Sequence, residues 1–477
     1  MIDFTSPQSN DVVLSNSKGD RGLVLGGIEG VKQRLSSDVE AVRIEALSQA
    51  SQYGREGLDL IIKAFHEDTE AVRRGAYFCL RDRQTPEIRR ILQGYYPWDW
   101  KSCKNLFTYP IKNNFFQYLV ISKNGLICAF HCMFLDDRKK LHCIVKILDL
   151  LNLRKIRTLT GFKSIPKLAI TTDGQTLITG EYGGNITAWN TQTGAKLFSR
   201  SVGAVTNVAI GDDNETLVFS TNLPVLESER VGWETQVEIW NLPEQKRLKS
   251  VSIGIDWEEN QFNQYGNTHF IDLSPHNEIL LCQAFASQYD SKPVDIWNIA
   301  EGRNRKSYTL KFPKYYRNKC FAIAPNGLYF ATPMTYTSPY IPNTSHRLVP
   351  ENSRDRTVRD RAITLWKLHK DPEIDLLEKS SGDRNDAYES IVREKQFLGL
   401  LQDNGDITCL AFSPDGKILA VGSHPILDGE VKLWDLESRK KICTLTRENS
   451  PIKFVGFNQD GNILYTATQN NLKAWGF

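Results

Sequence analysis

Val431-Lys432-Leu433-Trp434-Asp435 is the stretch on which the fold turns: a β-branched residue, one position, an apolar residue, then Trp and an acid. The pattern returns as Ile186-Thr187-Ala188-Trp189-Asn190, Val237-Glu238-Ile239-Trp240-Asn241, Val294-Asp295-Ile296-Trp297-Asn298, Ile363-Thr364-Leu365-Trp366-Lys367 and Leu472-Lys473-Ala474-Trp475. A seventh copy, Val145-Lys146-Ile147-Leu148-Asp149, has Leu148 in the Trp place. Apolar and polar residues alternate with period two, the mark of a strand with one face buried. Trp189, Trp240, Trp297, Trp366, Trp434 and Trp475, six of the ten tryptophans, therefore mark one place in a repeated unit.

Upstream of each copy lies a tight turn between two strand-like runs. The seven turns are Ser122-Lys123-Asn124-Gly125, Thr171-Thr172-Asp173-Gly174, Gly211-Asp212-Asp213-Asn214, Ser274-Pro275-His276-Asn277, Ala324-Pro325-Asn326-Gly327, Ser413-Pro414-Asp415-Gly416 and Asn458-Gln459-Asp460-Gly461. Each ends in Gly or Asn, the residues that adopt positive φ at least cost. Two independent series of seven, in the same order and phase, define seven units of four strands.

This pattern resembles WD repeats, in which each unit supplies a four-stranded blade to a β-propeller. The resemblance covers about residues 103–477 and implies a mainly β fold, a seven-bladed WD-repeat β-propeller. Only three strands are available to the last blade, and the segment at about 100–108 reads as its missing outer strand, closing the ring and removing a free edge. The chain departs from the WD pattern in lacking Gly-His before each first strand and most of the turn Asp residues. The Ser/Thr-His-Asp-Trp hydrogen-bond network that the resemblance implies therefore cannot form as such, and apolar packing between sheets is expected to carry more of the stability.

Before the propeller the period is 3.6. From Ile28 to Tyr95 a repeat recurs at an offset of 30 residues: Asp38, Glu40, Ala41, Val42, Arg43 and Ala46 return as Asp68, Glu70, Ala71, Val72, Arg73 and Ala76. Each copy opens with an Asp expected to cap a helix. The unit resembles the short HEAT-like repeat of the phycobilisome-lyase type, which makes a small all-α domain over 22–96, ending in a helix Pro86 to Gln93. In that architecture Arg43 and Arg73 are expected to bond a neighbouring Asp or a helix end. Residues 1–21, rich in Ser, Asn and Asp, read as a disordered tail, and 97–477 as the propeller. WD-repeat proteins with such a helical N-terminal region, common among cyanobacteria, are the group this layout resembles.

Composition narrows the function. Lys plus Arg at 59 against Asp plus Glu at 56 leaves +3, short of the surplus a nucleic-acid-coating surface carries. No run approaches the roughly 18 apolar residues of a membrane span, so no membrane insertion is expected. No secretory leader is recognisable, and nine cysteines, an odd number, read as free thiols in a reducing, cytoplasmic setting. Oligomeric state has no signature here. The densest group of metal-ligand types is Cys128, His131, Cys132, His142 and Cys143. Cys128 and Cys132 would lie about 13 Å apart along one strand, too far to share a zinc ion. No catalytic motif is present, so no enzyme, cofactor or metal is expected.

Blade length is more informative. Trp475 follows Trp434 by 41 residues, whereas the intervals ending at Trp240, Trp297, Trp366 and Trp434 are 51, 57, 69 and 68. The surplus lies at 221–235, 254–267, 332–360 and 368–395. In a propeller the first three leave from one face. They carry Trp233, Trp257, Phe262, Tyr265, Tyr336 and Tyr340, followed by Arg347, Arg354 and Arg356. Aromatic and Arg residues are the anchors of protein interfaces, which points to a non-catalytic interaction scaffold with a protein partner. Two other readings stand beside it: loops that pack on one another, and a small-molecule or catalytic site in the central channel. Phosphate or nucleic-acid binding by the Arg-rich 347–361 stretch is disfavoured by its interleaved acids.

Overall fold

The computed structural model describes residues 27–81, 83, 85–111, 118–135, 141–227, 230–257, 270–273, 279–283, 294–298, 306–310, 320–325, 329–334, 362–367, 397–402, 406–424 and 429–477. The chain divides into two compact units, Met1–Asp99 and Trp100–Phe477.

Among the described residues the first unit holds five helices: α1 (Gly27–Leu35), α2 (Glu40–Ala50), α3 (Gly54–Glu67), α4 (Glu70–Leu80) and α5 (Pro86–Ile91). Their apolar stripes meet in one core built on Val31, Leu47, Ile61, Val72, Tyr77, Leu80 and Ile88. Thr85 caps α5, its hydroxyl accepting from the N–H of Ile88, with Pro86 in the first turn. The repeat aspartates do not cap as the sequence suggests. Val39 and Thr69 occupy the N-cap positions of α2 and α4, one residue beyond Asp38 and Asp68. Asp68 instead accepts from its neighbour Thr69 N–H at 2.7 Å and pairs with Arg43 at 3.2 Å. Arg73 donates to Phe65 O at the end of α3, at 3.0 Å. Both repeat arginines thus hold helix to helix.

The second unit is seven four-stranded antiparallel sheets. The chain first lays down β1 (Lys104–Pro110). Blade one is β2 (Leu119–Ile121), β3 (Ile127–Leu135), β4 (Leu141–Asp149) and β5 (Arg154–Phe162). Blade two is β6 (Lys167–Ile170), β7 (Thr176–Gly180), β8 (Asn185–Asn190) and β9 (Lys196–Ser201). Blade three is β10 (Ala204–Ile210), β11 (Thr216–Glu227), β12 (Arg230–Asn241) and β13 (Lys246–Trp257). Blade four is β14 (Phe270–Leu273), β15 (Ile279–Gln283), β16 (Val294–Asn298) and β17 (Lys306–Leu310). Blade five is β18 (Ala322–Ile323), β19 (Tyr329–Met334), β20 (Ala362–Lys367) and β21 (Phe397–Gln402). Blade six is β22 (Asp406–Phe412), β23 (Ile418–His424), β24 (Gly429–Asp435) and β25 (Lys441–Glu448). Blade seven has β26 (Phe454–Phe457), β27 (Ile463–Ala467) and β28 (Asn471–Gly476), and β1 pairs with β28 as its fourth strand.

Every marker residue falls on the third strand in one register. Trp189 faces Leu177, Trp240 faces Leu217, Trp297 faces Leu280, Trp366 faces Phe330, Trp434 faces Leu419, Trp475 faces Leu464, and Leu148 faces Cys128. The turns behave as their Gly and Asn residues require: Gly125, Gly174, Asn214, Gly416 and Gly461 all have positive φ. Their first residues plug the sheet, Thr171 donating to Asp173 at 2.6 Å and Ser413 to Asp415 at 2.5 Å.

Part of the WD hydrogen-bond network survives in a different form. Trp189 Nε1 donates to Thr179 Oγ1 at 2.8 Å, and Trp475 Nε1 to Thr466 Oγ1 at 3.0 Å. In blade three Phe219 takes the Thr place, and Trp240 turns to Glu238 at 2.7 Å. In blade six Val421 takes it, leaving Trp434 Nε1 buried without a partner among the described residues. Thr is nearly isosteric with Val, so Val421→Thr should supply the missing acceptor and raise unfolding stability by about 1 kcal/mol. Urea titration checks this; a destabilised variant would mean that the hydroxyl cannot reach the indole.

Candidate functional site

One bulge recurs in all seven sheets. On each outer strand the register skips a single residue beside the marker position: Ile156, Leu197, Leu248, Ser307, Leu398, Ile442 and, on β1, Leu106. A bulge there increases local twist and spoils the strand as a template for another chain.

The insertion at 221–235 is not a loop but an extension of two strands. β11 and β12 stay paired without interruption from Thr216↔Asn241 to Glu227↔Arg230. Only residues 228–229 are left to connect them. β10 pairs with β11 no further than Asn222, so the five residues Leu223–Glu227 continue past it as an arm of about 17 Å at strand rise. Asn222 and Thr221 are buried at its base and Leu226 is 79% exposed near its end. Pro224 is tolerated because this stretch is an edge, where a missing N–H costs no ladder bond. β13 follows the arm, placing Trp233 opposite Asp256 and Trp257 opposite Gly232. The two tryptophans stand at successive register positions of one arm, which belong to opposite faces of a pleated sheet. Phe262, Tyr265, Tyr336, Tyr340, Arg347, Arg354 and Arg356 lie outside the described residues, as do the rest of 254–267 and 332–360 and all of 368–395.

The Cys/His group is split between two environments. Cys128 and Cys132 are buried with Tyr465, Leu472 and Ala474, in the core shared by blades one and seven. Burial pushes the Cys132 thiol up to about 11 and Cys128 further. His131 is also buried, its Nδ1 accepting from Tyr118 N–H at 3.2 Å. Burial, with the Lys167 charge adding to it, pulls His131 down to about 4, so it is neutral at pH 7. His142 stacks on Phe134. Among the described residues no three His, Cys, Asp or Glu converge as a metal site requires.

At the opposite end of the blades from the arm, the first turns bond one another. Asn124 Nδ2 donates to Asp173 O at 2.8 Å, Thr172 N–H to Asn214 Oδ1 at 2.7 Å, and Gln459 N–H to Lys123 O at 2.6 Å. Lys123 also reaches past blade two to pair with Asp212 of blade three. Blades six and seven are joined by charge, Lys473 pairing with Glu448 at 2.6 Å, and within blade six Glu430 holds Lys432 at 2.9 Å and Arg447 at 3.0 Å. Burial raises the Glu430 carboxyl, but the hydrogen bond and charge of Lys432, then Arg447, outweigh it and hold the group below its usual 4.5. A depressed carboxylate stabilises the fold fully above the unfolded value and loses that contribution as pH falls through the folded one. Unfolding midpoints should therefore fall with acid below about pH 4.5, less steeply in Glu430→Gln. Equal slopes in urea titrations of the two proteins would remove Glu430 from the acid response.

Seven such sheets, Trp on the third strand of six of them and a fourth strand donated from the far end of the chain make this a β-propeller of the WD-repeat type. The WD domain, G-beta repeat family matches residues 395–435, which run from β21 of blade five through β24 of blade six. The sequence repeat is thus offset from the blade by one strand, the same offset that closes the ring. The chain is 30% identical over 113 residues to pre-mRNA-processing factor 19 of Mus musculus, covering 23% of this chain and 21% of that one. It is 31% identical over 72 residues to pre-mRNA-processing factor 19 homolog 2 of Arabidopsis thaliana, 15% of this chain and 13% of the other. The ciliary WD repeat-containing protein ctxp80 of Euplotoides octocarinatus is 38% identical over 65 residues, 13% of this chain and 9% of its own. The chain spans about a fifth or less of the length of these relatives. No described helix is long and apolar enough to cross a membrane.

Proposed function

We propose that the protein is a non-catalytic interaction scaffold or adaptor whose partner, another protein, docks on the propeller face that carries the blade-three arm. The observation that carries this reading is the arm itself: a continuously paired element running past β10, with Trp233 and Trp257 in its strands. Rigid aromatic anchors contribute most to protein interfaces at least entropic cost. In our reading the β13–β14 and β19–β20 connections, whose sequences hold Phe262, Tyr265, Tyr336, Tyr340, Arg347, Arg354 and Arg356, contribute to the same docking surface. The helical unit, in our reading HEAT-like, supplies a second docking surface. A cytoplasmic setting is supported by eight free thiols among the nine cysteines.

The test is affinity purification of the tagged chain from its native cells, followed by mass spectrometry. Trp257→Ala combined with replacement of 335–361 by a short Asn-Gly turn should remove the principal partner while leaving the thermal unfolding of the propeller in place. An unchanged set of partners would place the interface elsewhere.

A further inference from the structure

We propose that the outer rim of blades one to three is a further docking surface, and that it takes an acidic, leucine-bearing segment of a partner protein.

The argument starts from where positive charge is left unanswered. The whole chain is +3, yet the outer strands β5, β9 and β13 concentrate cations: Lys155, Arg200, Lys246 and Lys249 have no carboxylate partner among the described residues. The neighbouring Arg154 and Arg247 do meet acids, Asp149 at 3.3 Å and Glu238 at 3.8 Å, but their side chains remain 73% and 58% exposed. Blades one and two are continuous here, because Arg157 Nε donates to Thr193 O in the turn that leads into β9, at 3.2 Å.

Charged residues on an edge strand have a general purpose, which is to keep the edge from pairing with another chain. Leucine does not serve it. Leu197 and Leu248 sit at the bulge of β9 and β13, 49% and 57% exposed, each following a cation, Lys196 and Arg247. The same juxtaposition therefore recurs on adjacent blades: an exposed leucine directly after a cation, with Lys249 following Leu248 as well. The bulge interrupts the regular edge, so a partner is recognised by its side chains and not by adding a fifth strand. Carboxylates complement the cations and apolar side chains cover the leucines, which selects an acidic amphipathic segment. Electrostatic complementarity of this kind raises the association rate and fixes register.

The probe is a fluorescein-labelled peptide of alternating Glu and Leu, titrated with the full-length chain by fluorescence anisotropy. Lys155→Glu with Lys246→Glu should weaken binding about tenfold, and Leu197→Ser with Leu248→Ser about fivefold, while Lys155→Arg with Lys246→Arg keeps it. Raising the salt should weaken binding by the wild type and leave the charge-reversed protein less affected. All these positions are exposed, and coincident melting curves would show that each variant folds. Equal binding of a peptide with Gln for Glu, or an affinity unmoved by charge reversal, overturns the proposal. So does binding to phosphatidylserine vesicles without binding to the peptide, or charge reversal that changes only self-association in sedimentation, since the occupant would then be a membrane or a second copy.

Discussion

Trp100→Ala is expected to lower the unfolding free energy of the propeller by about 3–5 kcal/mol, the cost of emptying a large aromatic site. Trp100 is 2% exposed and meets Phe457 and Phe477 edge-on, with ring centroids 5.4 and 5.3 Å away. Its carbonyl also accepts from Cys443 Sγ of blade six. The ring contacts, which the Ala variant loses while keeping the carbonyl, anchor the chain immediately before β1, so their loss acts on the one strand that blade seven borrows. A detached β1 uncovers β28 as a free edge, and the variant should therefore also self-associate on size exclusion at temperatures where the wild type does not. Guanidinium titration gives the energy; a loss under about 1 kcal/mol would mean that the seal rests on β1 pairing alone.

The second large effect lies in the helical unit. A Cβ at Gly57 would stand 1.8 Å from Ala50 O and 2.9 Å from Ala50 C, backbone atoms that cannot swing aside. Gly57→Ala must push α3 off the end of α2, and should cost about 3 kcal/mol even though Ala is the better helix former. Gly54 is the comparison: its φ is +55° and nothing lies within 4 Å of where a Cβ would stand, so Gly54→Ala meets only the left-handed backbone strain, about 1 kcal/mol. Far-UV circular dichroism through a thermal ramp distinguishes them, since only the helical transition should move. Equal effects would show that the close approach at Ala50 relaxes.

What the sequence shows depends on how local the cause is. The blades are legible because each Trp lies in a five-residue pattern of its own, and seven copies reinforce one another. The Trp–Thr bonds of blades two and seven are harder to see: the missing Gly-His and Asp residues draw the eye away from Thr179 and Thr466, which stand at a fixed place on the second strand. The blade-three arm reads as a loop in the sequence because Pro224 breaks a strand pattern everywhere except at an edge. Asp38 and Asp68 look like caps, but the position of a cap depends on where the first helical turn closes, one residue further on. The bulged rim leaves no trace in any one segment. Leu197 and Leu248 lie on strands about 50 residues apart, and only the ring brings them to neighbouring blades.

The borrowed strand also sets an order of events in time. β1 leaves the ribosome before any other strand of the propeller, and its partner β28 is made last. It must stay unpaired while the blades between them are synthesised, with Leu106 and Phe107 exposed to whatever else is in the cell, and this long-range pairing makes the final closure slow. A circular permutant that starts at β2 and carries β1 after Gly476 would turn that closure into a local hairpin. It should reach the same ring faster and with less need of a chaperone.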